Sequence, residues 1–80
     1  MDDLERITAA ISEIGKIPAV APEQDIYDAG FSSVNALQLL FELEAFGEVS
    51  IPDEEFVAAR TPRQLQEMLT RLRQEQQVGV

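Results

Sequence analysis

The sequence predicts an all-α fold, a small bundle of three long helices and one short helix. In three segments the apolar residues recur at spacings that place them on one face of a helix. No segment alternates apolar and polar residues as a half-buried strand does. The 80 residues have the size of one domain, and 45% of them are hydrophobic, which is enough to form a core.

The first helix is predicted over residues 3–15. Its apolar residues follow one another at intervals of three, four and three: Leu4, Ile7, Ile11 and Ile14. Such a series forms a single stripe along the side of a helix that faces the core. Asp2 or Asp3 can cap the N-terminus of this helix, and Gly15 can end it.

Residues 16–30 are predicted to form a long loop. The helical periodicity is lost there, and two prolines and Gly30 interrupt the segment. Ile26 and Tyr27 are the residues that would attach this loop to the core. Long ordered loops in compact domains are usually functional or connect distant helix ends.

The second helix is predicted from Ser32 or Ser33 to about Phe46, before Gly47, and carries two apolar faces. One face consists of Leu39, Leu40, Leu43 and Phe46. The other, which we call the helix-two strip, consists of Val34, Leu37 and Phe41. One apolar face suffices for a surface helix, so two faces indicate either a central helix or an exposed strip that binds a partner.

A short helix and a last long helix complete the bundle. The short helix is predicted over residues 53–59, with acidic residues in its first turn, where the helix dipole favours them. The last helix begins with Thr61 as N-cap and Pro62 at its first position. It continues through the apolar residues Leu65, Met68, Leu69 and Leu72. We expect residues 74–80 to form a flexible tail of the single domain, 1–80.

The composition excludes most classes of enzyme. The chain has no His and no Cys, so it has no disulfide, no thiolate nucleophile, no imidazole base and no zinc site built on those ligands. A serine hydrolase would lack its usual base, and the acidic residues of the loop lack the spacing of a calcium-binding EF-hand. We therefore predict no catalytic residue and no metal site.

The negative charge is concentrated in the middle of the chain. The net charge is −9, and no basic residue lies between Lys16 and Arg60. Nine acidic residues lie in that segment: Glu23, Asp25, Asp28, Glu42, Glu44, Glu48, Asp53, Glu54 and Glu55. They form either a solvated surface or an electronegative face that attracts basic partners. Nucleic acid is not expected as a partner, because its binding depends on Lys and Arg.

No targeting or membrane segment is predicted. Met1 is followed by Asp2 and Asp3, so the basic and apolar regions of a signal peptide are missing. No apolar run approaches the length of a membrane span. We expect a cytoplasmic protein with a complete N-terminus and no membrane partner. A monomer is expected, because nothing in the sequence requires an oligomer.

Two serines after Gly30 are the candidate functional residues. Gly30 allows a turn with positive φ, and Ser32 can then offer its oxygen to the first N–H groups of helix two. Ser33 would open the helix with its hydroxyl in solvent. The free N–H groups of a helix N-terminus attract phosphate. The alternative is that both serines only cap the helix.

Over nearly its whole length the chain resembles the acyl carrier proteins and related thiolation domains. The shared features are the apolar first helix, the loop that closes with Asp28-Ala29-Gly30, the serine that opens an acidic helix two, and Ile51-Pro52-Asp53 before the short helix. In that family the sequence before helix two commonly reads Gly-x-Asp-Ser-Leu, and its serine accepts 4′-phosphopantetheine from coenzyme A. By position this serine is Ser33. Three features depart from the family pattern: Ser32 replaces the usual Asp, Val34 replaces the usual Leu, and Phe46 arrives one residue early.

The resemblance implies a carrier and not an enzyme. A phosphopantetheinyl transferase would attach 4′-phosphopantetheine to Ser33, with Ser32 and Asp28 beside the attachment point. The thiol of the arm would then hold an acyl group as a thioester. Residues 30–33 and 37–43 look most like free-standing aminoacyl or D-alanyl carriers. The resemblance therefore implies an amino acid loaded by a separate adenylating ligase and delivered to acyl-accepting enzymes, with fatty-acyl or polyketide cargo as the alternative.

The resemblance also makes the helix-two strip part of a docking surface for partner enzymes. The polar and acidic residues around it would be Gln38, Glu42, Glu44, Glu48, Asp53, Glu54 and Glu55. Ordinary core packing of the strip is the alternative. A different class of function also stays open, an acidic helical module that binds partners without a prosthetic group. Replacement of Ser33 would distinguish a carrier from such a module.

Overall fold

The computed structural model describes residues 2–77 and has the predicted all-α architecture. Its elements, in chain order, are α1 (Asp3–Gly15), a 3₁₀ turn (Ser33–Asn35), α2 (Ala36–Gly47), α3 (Asp53–Ala58) and α4 (Pro62–Gln77). No β-strand occurs within residues 2–77. The prediction of three long helices and one short helix is confirmed.

The core lies between α1, α2 and α4, and each helix contributes the apolar stripe predicted for it. The fully buried aliphatic residues are Ile7, Ile11, Ile26, Leu39, Leu43, Leu65 and Leu69. Ile26 belongs to the long loop, so the loop is attached to the core as expected. Phe46 packs partly buried against this core, with the guanidinium carbon of Arg6 4.8 Å from the centroid of its ring.

α1 ends at Gly15, as predicted, and α2 ends at Gly47, but neither glycine has the left-handed backbone that commonly follows a helix. The residues with left-handed backbone are Lys16 (φ 54°) and Glu48 (φ 55°), each one position after the expected glycine. A Cβ atom built on Gly15 would lie 2.6 Å from Cδ1 of Phe31, and one built on Gly47 would lie 3.2 Å from Leu69. The absence of a side chain at these two positions therefore allows Phe31 and Leu69 to pack closely against the ends of the helices. The left-handed residue that follows each helix is the next one in the chain.

The long loop is tied to the connection between α3 and α4 and to the first turn of α4. The backbone N–H of Ile26 donates to the carbonyl of Arg60 (2.9 Å), and the N–H of Arg63 donates to the carbonyl of Pro22 (2.9 Å). Ion pairs also link the two segments, from Arg60 to Asp25 and from Arg63 to Glu23. The loop is thus held at one end of the bundle through both backbone and side chains.

The last helix is longer than predicted. Residues 74–77, predicted to belong to the tail, continue α4, and the side chain of Gln76 exchanges two hydrogen bonds with the backbone of Ser50 (3.0 and 2.8 Å). Arg73 pairs with Asp3 and donates to the carbonyl of Gly47 (3.2 Å). The rest of the predicted tail, 78–80, lies outside the described residues. Among the helices of residues 2–77, none is long and apolar enough to cross a membrane.

Candidate functional site

The long loop ends in a closed turn that leads directly to the two serines. Oδ1 of Asp25 accepts hydrogen bonds from the backbone N–H groups of Tyr27 (2.9 Å) and Asp28 (3.2 Å). Gly30 has φ of 109°, which a glycine adopts without strain, as predicted. Phe31 then enters the core, where only 3% of it remains exposed. The turn is therefore closed by Asp25 and anchored by Phe31 immediately before Ser32.

Ser32 and Ser33 have different roles in the structure. Oγ of Ser32 accepts a hydrogen bond from the N–H of Val34 (3.1 Å), and the carbonyl of Ser32 accepts one from the N–H of Asn35 (3.0 Å). Ser33 is the first residue of the 3₁₀ turn and is exposed. Its hydroxyl makes no hydrogen bond within residues 2–77. Ser32 thus caps the helix, and Ser33 presents its hydroxyl to solvent.

The cap formed by Ser32 uses backbone N–H groups that were expected from the sequence to be free to bind phosphate. The N–H groups of Val34 and Asn35 already donate to Ser32, so they are not the free donors that the sequence suggested. A phosphate on Ser33 would still benefit from the helix dipole, which favours negative charge at an N-terminus. The contribution of the helix here is therefore through its field and not through those two hydrogen bonds.

A groove of about 540 Å³ lies beside Ser33. Besides Ser33, its lining consists of Tyr27, Phe31, Ala36, Phe56, Val57 and Arg60. One wall therefore comes from the loop and the start of α2, and the other from α3 and the residues after it. The volume lies in the range of small-molecule sites, and the lining is mainly apolar. An exposed hydroxyl at the edge of such a groove fits the covalent attachment of an extended prosthetic arm.

One corner of the groove is charged. Nε of Arg60 donates to Oδ2 of Asp25 (2.7 Å) and Nη2 donates to Oδ1 (3.4 Å), while the guanidinium carbon lies 4.8 Å from the centroid of the Tyr27 ring. The hydrogen bond from Arg60 holds the pKa of Asp25 below its ordinary value, and the same bond raises the pKa of Arg60. Partial burial raises the pKa of the Tyr27 phenol. Near neutral pH this corner therefore holds an ionised ion pair and a neutral phenol.

The remaining predicted residue of the attachment site, Asp28, lies in the turn but not in the groove. Its side chain is exposed and is absent from the groove lining. Asp28 nevertheless acts on Arg60 through its charge, which contributes to the raised pKa of that group. A role for Asp28 in binding the cofactor or a transferase remains a prediction.

The structure decides the orientation of helix two, which the sequence left open. The helix-two strip is exposed, with 85% of Val34, 59% of Leu37 and 60% of Phe41 accessible to solvent. Val57 of α3, which sequence reasoning missed, is also exposed and lines the groove. The sequence did contain an indication that one apolar residue of α3 is exposed. Phe56 and Val57 are adjacent in a short helix, so only one of them can face the core.

The predicted acidic and polar docking residues fall into two groups. Gln38, Glu42, Glu48, Asp53 and Glu54 are exposed. Glu44 and Glu55 are partly buried and already have partners inside the molecule. The carboxylate of Glu44 accepts a hydrogen bond from the N–H of Ile51 (2.9 Å), and Glu55 forms an ion pair with Arg71. The docking roles of these residues remain predictions. A partner that binds Glu44 or Glu55 would have to compete with these internal contacts.

No metal site accompanies these features in the described part of the chain. Within residues 2–77 no three acidic side chains come together as ligands for an ion. The sequence did not indicate the pair of Asp25 and Arg60 beside the groove, because these residues are 35 positions apart and meet only in the folded chain. Local spacing contains no signal for such a contact.

Comparisons with known proteins identify the family. A family model described as the phosphopantetheine attachment site matches residues 5–75. The structure is similar to the solution structure of a non-covalent extended docking domain complex of the Pax NRPS, PaxA T1-CDD with PaxB NDD. That similarity has a TM-score of 0.84 at 21% identity, covers 94% of this chain and 72% of the other, and shows a shared fold. No curated protein matches the sequence. The chain belongs to the phosphopantetheine-attachment family of carrier domains, which bear covalently bound 4′-phosphopantetheine and are not themselves enzymes.

Proposed function

We propose that Ser33 is the point of attachment and that the arm carries an aminoacyl group. The observation that supports Ser33 most strongly is its exposed hydroxyl, which makes no hydrogen bond within residues 2–77 and lies at a helix start beside the groove. Ser32 is a poorer candidate, because its Oγ is occupied in capping Val34. The resemblance to the family pattern independently favours the second of the two serines.

In the proposed reaction, Oγ of Ser33 is the nucleophile. It forms a bond to the phosphorus of the phosphopantetheinyl group, while the diphosphate bond of coenzyme A breaks and adenosine 3′,5′-bisphosphate leaves. The chain has no His, and no carboxylate within residues 2–77 accepts a hydrogen bond from the Ser33 hydroxyl, so we assign the base that removes the hydroxyl proton to a phosphopantetheinyl transferase. Once attached, the arm supplies a thiol that holds the acyl group as a thioester.

The partners of such a carrier would dock beside Ser33. We propose that the helix-two strip and Val57 form the apolar part of the docking surface, because all four side chains are exposed and Val57 lines the groove beside Ser33. The net charge of −9 would attract enzymes with basic surfaces and raise their association rates. The expected partners are the transferase, an adenylating ligase and the enzymes that accept the acyl group.

The aminoacyl cargo rests on the sequence of residues 30–33 and 37–43, which look most like free-standing aminoacyl carriers. Fatty-acyl or polyketide cargo is the alternative. The test is to offer the modified protein to candidate adenylating ligases with amino acids and with fatty acids. Formation of a thioester with an amino acid alone would support the proposal. Loading by a fatty acid alone would contradict it.

The experiment that tests the attachment site is intact mass spectrometry after incubation with coenzyme A and a broad-specificity phosphopantetheinyl transferase. The parent and Ser32→Ala should each gain the mass of one phosphopantetheine, and Ser33→Ala should gain none. Ser32→Ala is the matched control, since it removes the neighbouring hydroxyl and weakens only the cap. Modification of Ser33→Ala, or no modification of the folded parent by any transferase, would contradict the proposal and favour a non-covalent module.

A further inference from the structure

We propose that Arg60 is a positioning residue for modification at Ser33. Its contacts with Asp25 and Tyr27 hold the turn that leads to the two serines against the connection between α3 and α4. In this way Arg60 sets the shape of the groove beside the Ser33 hydroxyl. This inference rests on the proposed function, because it takes Ser33 as the point of attachment.

Asp25 links Arg60 to the turn because it performs two tasks at once. Its Oδ1 accepts the backbone N–H groups of Tyr27 and Asp28, which closes the turn. Both of its carboxylate oxygens also accept hydrogen bonds from the guanidinium of Arg60. A displacement of the Arg60 side chain therefore acts directly on the atom that organises the turn.

Two further contacts connect Arg60 to the same turn. Its carbonyl accepts the N–H of Ile26 (2.9 Å), and its guanidinium carbon lies 4.8 Å from the centroid of the Tyr27 ring. The Tyr27 ring in turn meets the ring of Phe31 edge to face, with the centroids 6.0 Å apart. Phe31 directly precedes Ser32. A continuous series of contacts thus runs from Arg60 to the residue before the capping serine.

The side-chain contacts are exposed enough to be removed without unfolding the protein. The side chain of Arg60 is 51% exposed and that of Asp25 is 26% exposed, and ion pairs of this kind contribute little to global stability. The backbone hydrogen bond from Ile26 would remain in any Arg60 variant. The expected consequence is a looser turn, which a transferase would have to order as it binds. That cost raises KM and leaves the chemical step unchanged.

Arg63 offers a matched control on the same loop. It forms an ion pair with Glu23 and donates its backbone N–H to Pro22, with a side chain 43% exposed. Arg63 does not line the groove. Arg63→Gln therefore removes a comparable ion pair between α4 and the loop, but leaves the contacts of the turn in place.

The first test is steady-state kinetics of phosphopantetheine transfer to each variant. Arg60→Gln should raise the KM for the carrier by about fivefold, the size of one modest ionic contact, and leave kcat within about twofold. Arg60→Lys should raise the KM less than Arg60→Gln does, because lysine keeps the positive charge but lacks the planar guanidinium that forms two hydrogen bonds with a carboxylate. Arg63→Gln should behave as the parent. Equal KM values in Arg60→Gln and Arg63→Gln, whether raised or unchanged, would overturn the inference.

The second test uses the unmodified protein and does not depend on a transferase. Hydrogen exchange of the Val34 and Asn35 amides reports on the cap formed by Ser32. Exchange at both amides should be about fivefold faster in Arg60→Gln and unchanged in Arg63→Gln. Identical exchange in all three proteins would refute the positioning role. Failure of the parent to be modified at Ser33 would instead refute the proposed function, so the two failures are distinguishable.

Discussion

Replacement of Gly15 by alanine tests how closely α1 packs against the loop that leads to Ser33. The new Cβ would lie 2.6 Å from Cδ1 and 3.2 Å from Cε1 of Phe31, whereas ordinary contact begins at 3.4 Å. Phe31 is only 3% exposed, so its ring has little space into which it can move. The substitution must therefore displace either the C-terminal end of α1 or the residue immediately before the capping serine.

The magnitude follows from two opposing effects. Overpacking a core by one methyl group costs about 1–3 kcal/mol. Alanine recovers up to about 1 kcal/mol of helix propensity relative to glycine, and less at the last residue of a helix. The net loss in the free energy of unfolding should be about 1–2 kcal/mol. In a domain of this size each kcal/mol lowers the melting temperature by about 4–8 °C.

Urea denaturation followed by far-UV circular dichroism measures this loss, and Lys16→Gly is the control. Lys16 has the left-handed φ of 54°, which costs an ordinary residue energy that glycine avoids. Lys16→Gly should stabilise the protein by about 0.5–1 kcal/mol after the extra chain entropy of glycine is subtracted. A Gly15→Ala variant as stable as the parent would refute the packing role that we assign to this glycine.

Four further outcomes follow from the same sequence and structure. Leu43→Ala, in the core, should lower the free energy of unfolding by about 2–5 kcal/mol. Leu37→Ala, on the exposed helix-two strip, should lower the free energy of unfolding by less than about 0.5 kcal/mol, as measured by urea denaturation. It should instead raise the KM of a transferase for the carrier, as measured by steady-state kinetics. In the folded protein the pKa of Asp25 lies below its ordinary value of 3.8. The stability that ionised Asp25 contributes is therefore present above pH 3.8 and is lost as the pH falls through the lowered pKa. Urea denaturation at a series of pH values from 7 downwards should therefore show that the difference in midpoint between the parent and Asp25→Asn becomes smaller as the pH falls. A difference that becomes larger would contradict the ion pair. Added NaCl or MgCl₂ should raise the melting temperature, because the acidic residues between Lys16 and Arg60 repel one another. A flat or falling melting temperature would contradict this.

The helices were predictable because their signals are local. Apolar residues at intervals of three and four marked α1 and α4, and the Thr61-Pro62 pair placed the start of α4 correctly. The division of roles between Ser32 and Ser33 also followed from the rules of helix capping. In each case the residues that decide the structure lie within a few positions of one another.

Contacts between distant segments were not predictable in the same way. The pair of Asp25 and Arg60 joins residues from different elements, and no spacing rule connects them. The same holds for the hydrogen bonds of Gln76 with Ser50, which extend α4 into the predicted tail. The exposure of the helix-two strip also depended on how α2 packs, because its two apolar faces are equally plausible core positions in the sequence.

The residues with left-handed backbone differ from those that a sequence rule for helix ends favours. Glycine commonly occupies the left-handed position that ends a helix, and that rule predicts the end of α1 at Gly15. A Cβ on Gly15 would overlap the ring of Phe31, and one on Gly47 would lie closer to Leu69 than ordinary van der Waals contact. In both helices the left-handed conformation falls on the residue after the glycine, Lys16 or Glu48, despite its cost.

The identity of the modified residue is tested most directly by fragmentation mass spectrometry of the modified protein after trypsin digestion. No Lys or Arg lies between Lys16 and Arg60, so a single peptide, 17–60, contains Ser32, Ser33 and Ser50. We expect fragment ions that place phosphopantetheine on Ser33 alone. Fragment ions that place it on Ser32 or Ser50 would contradict the assignment of Ser33 as the attachment point.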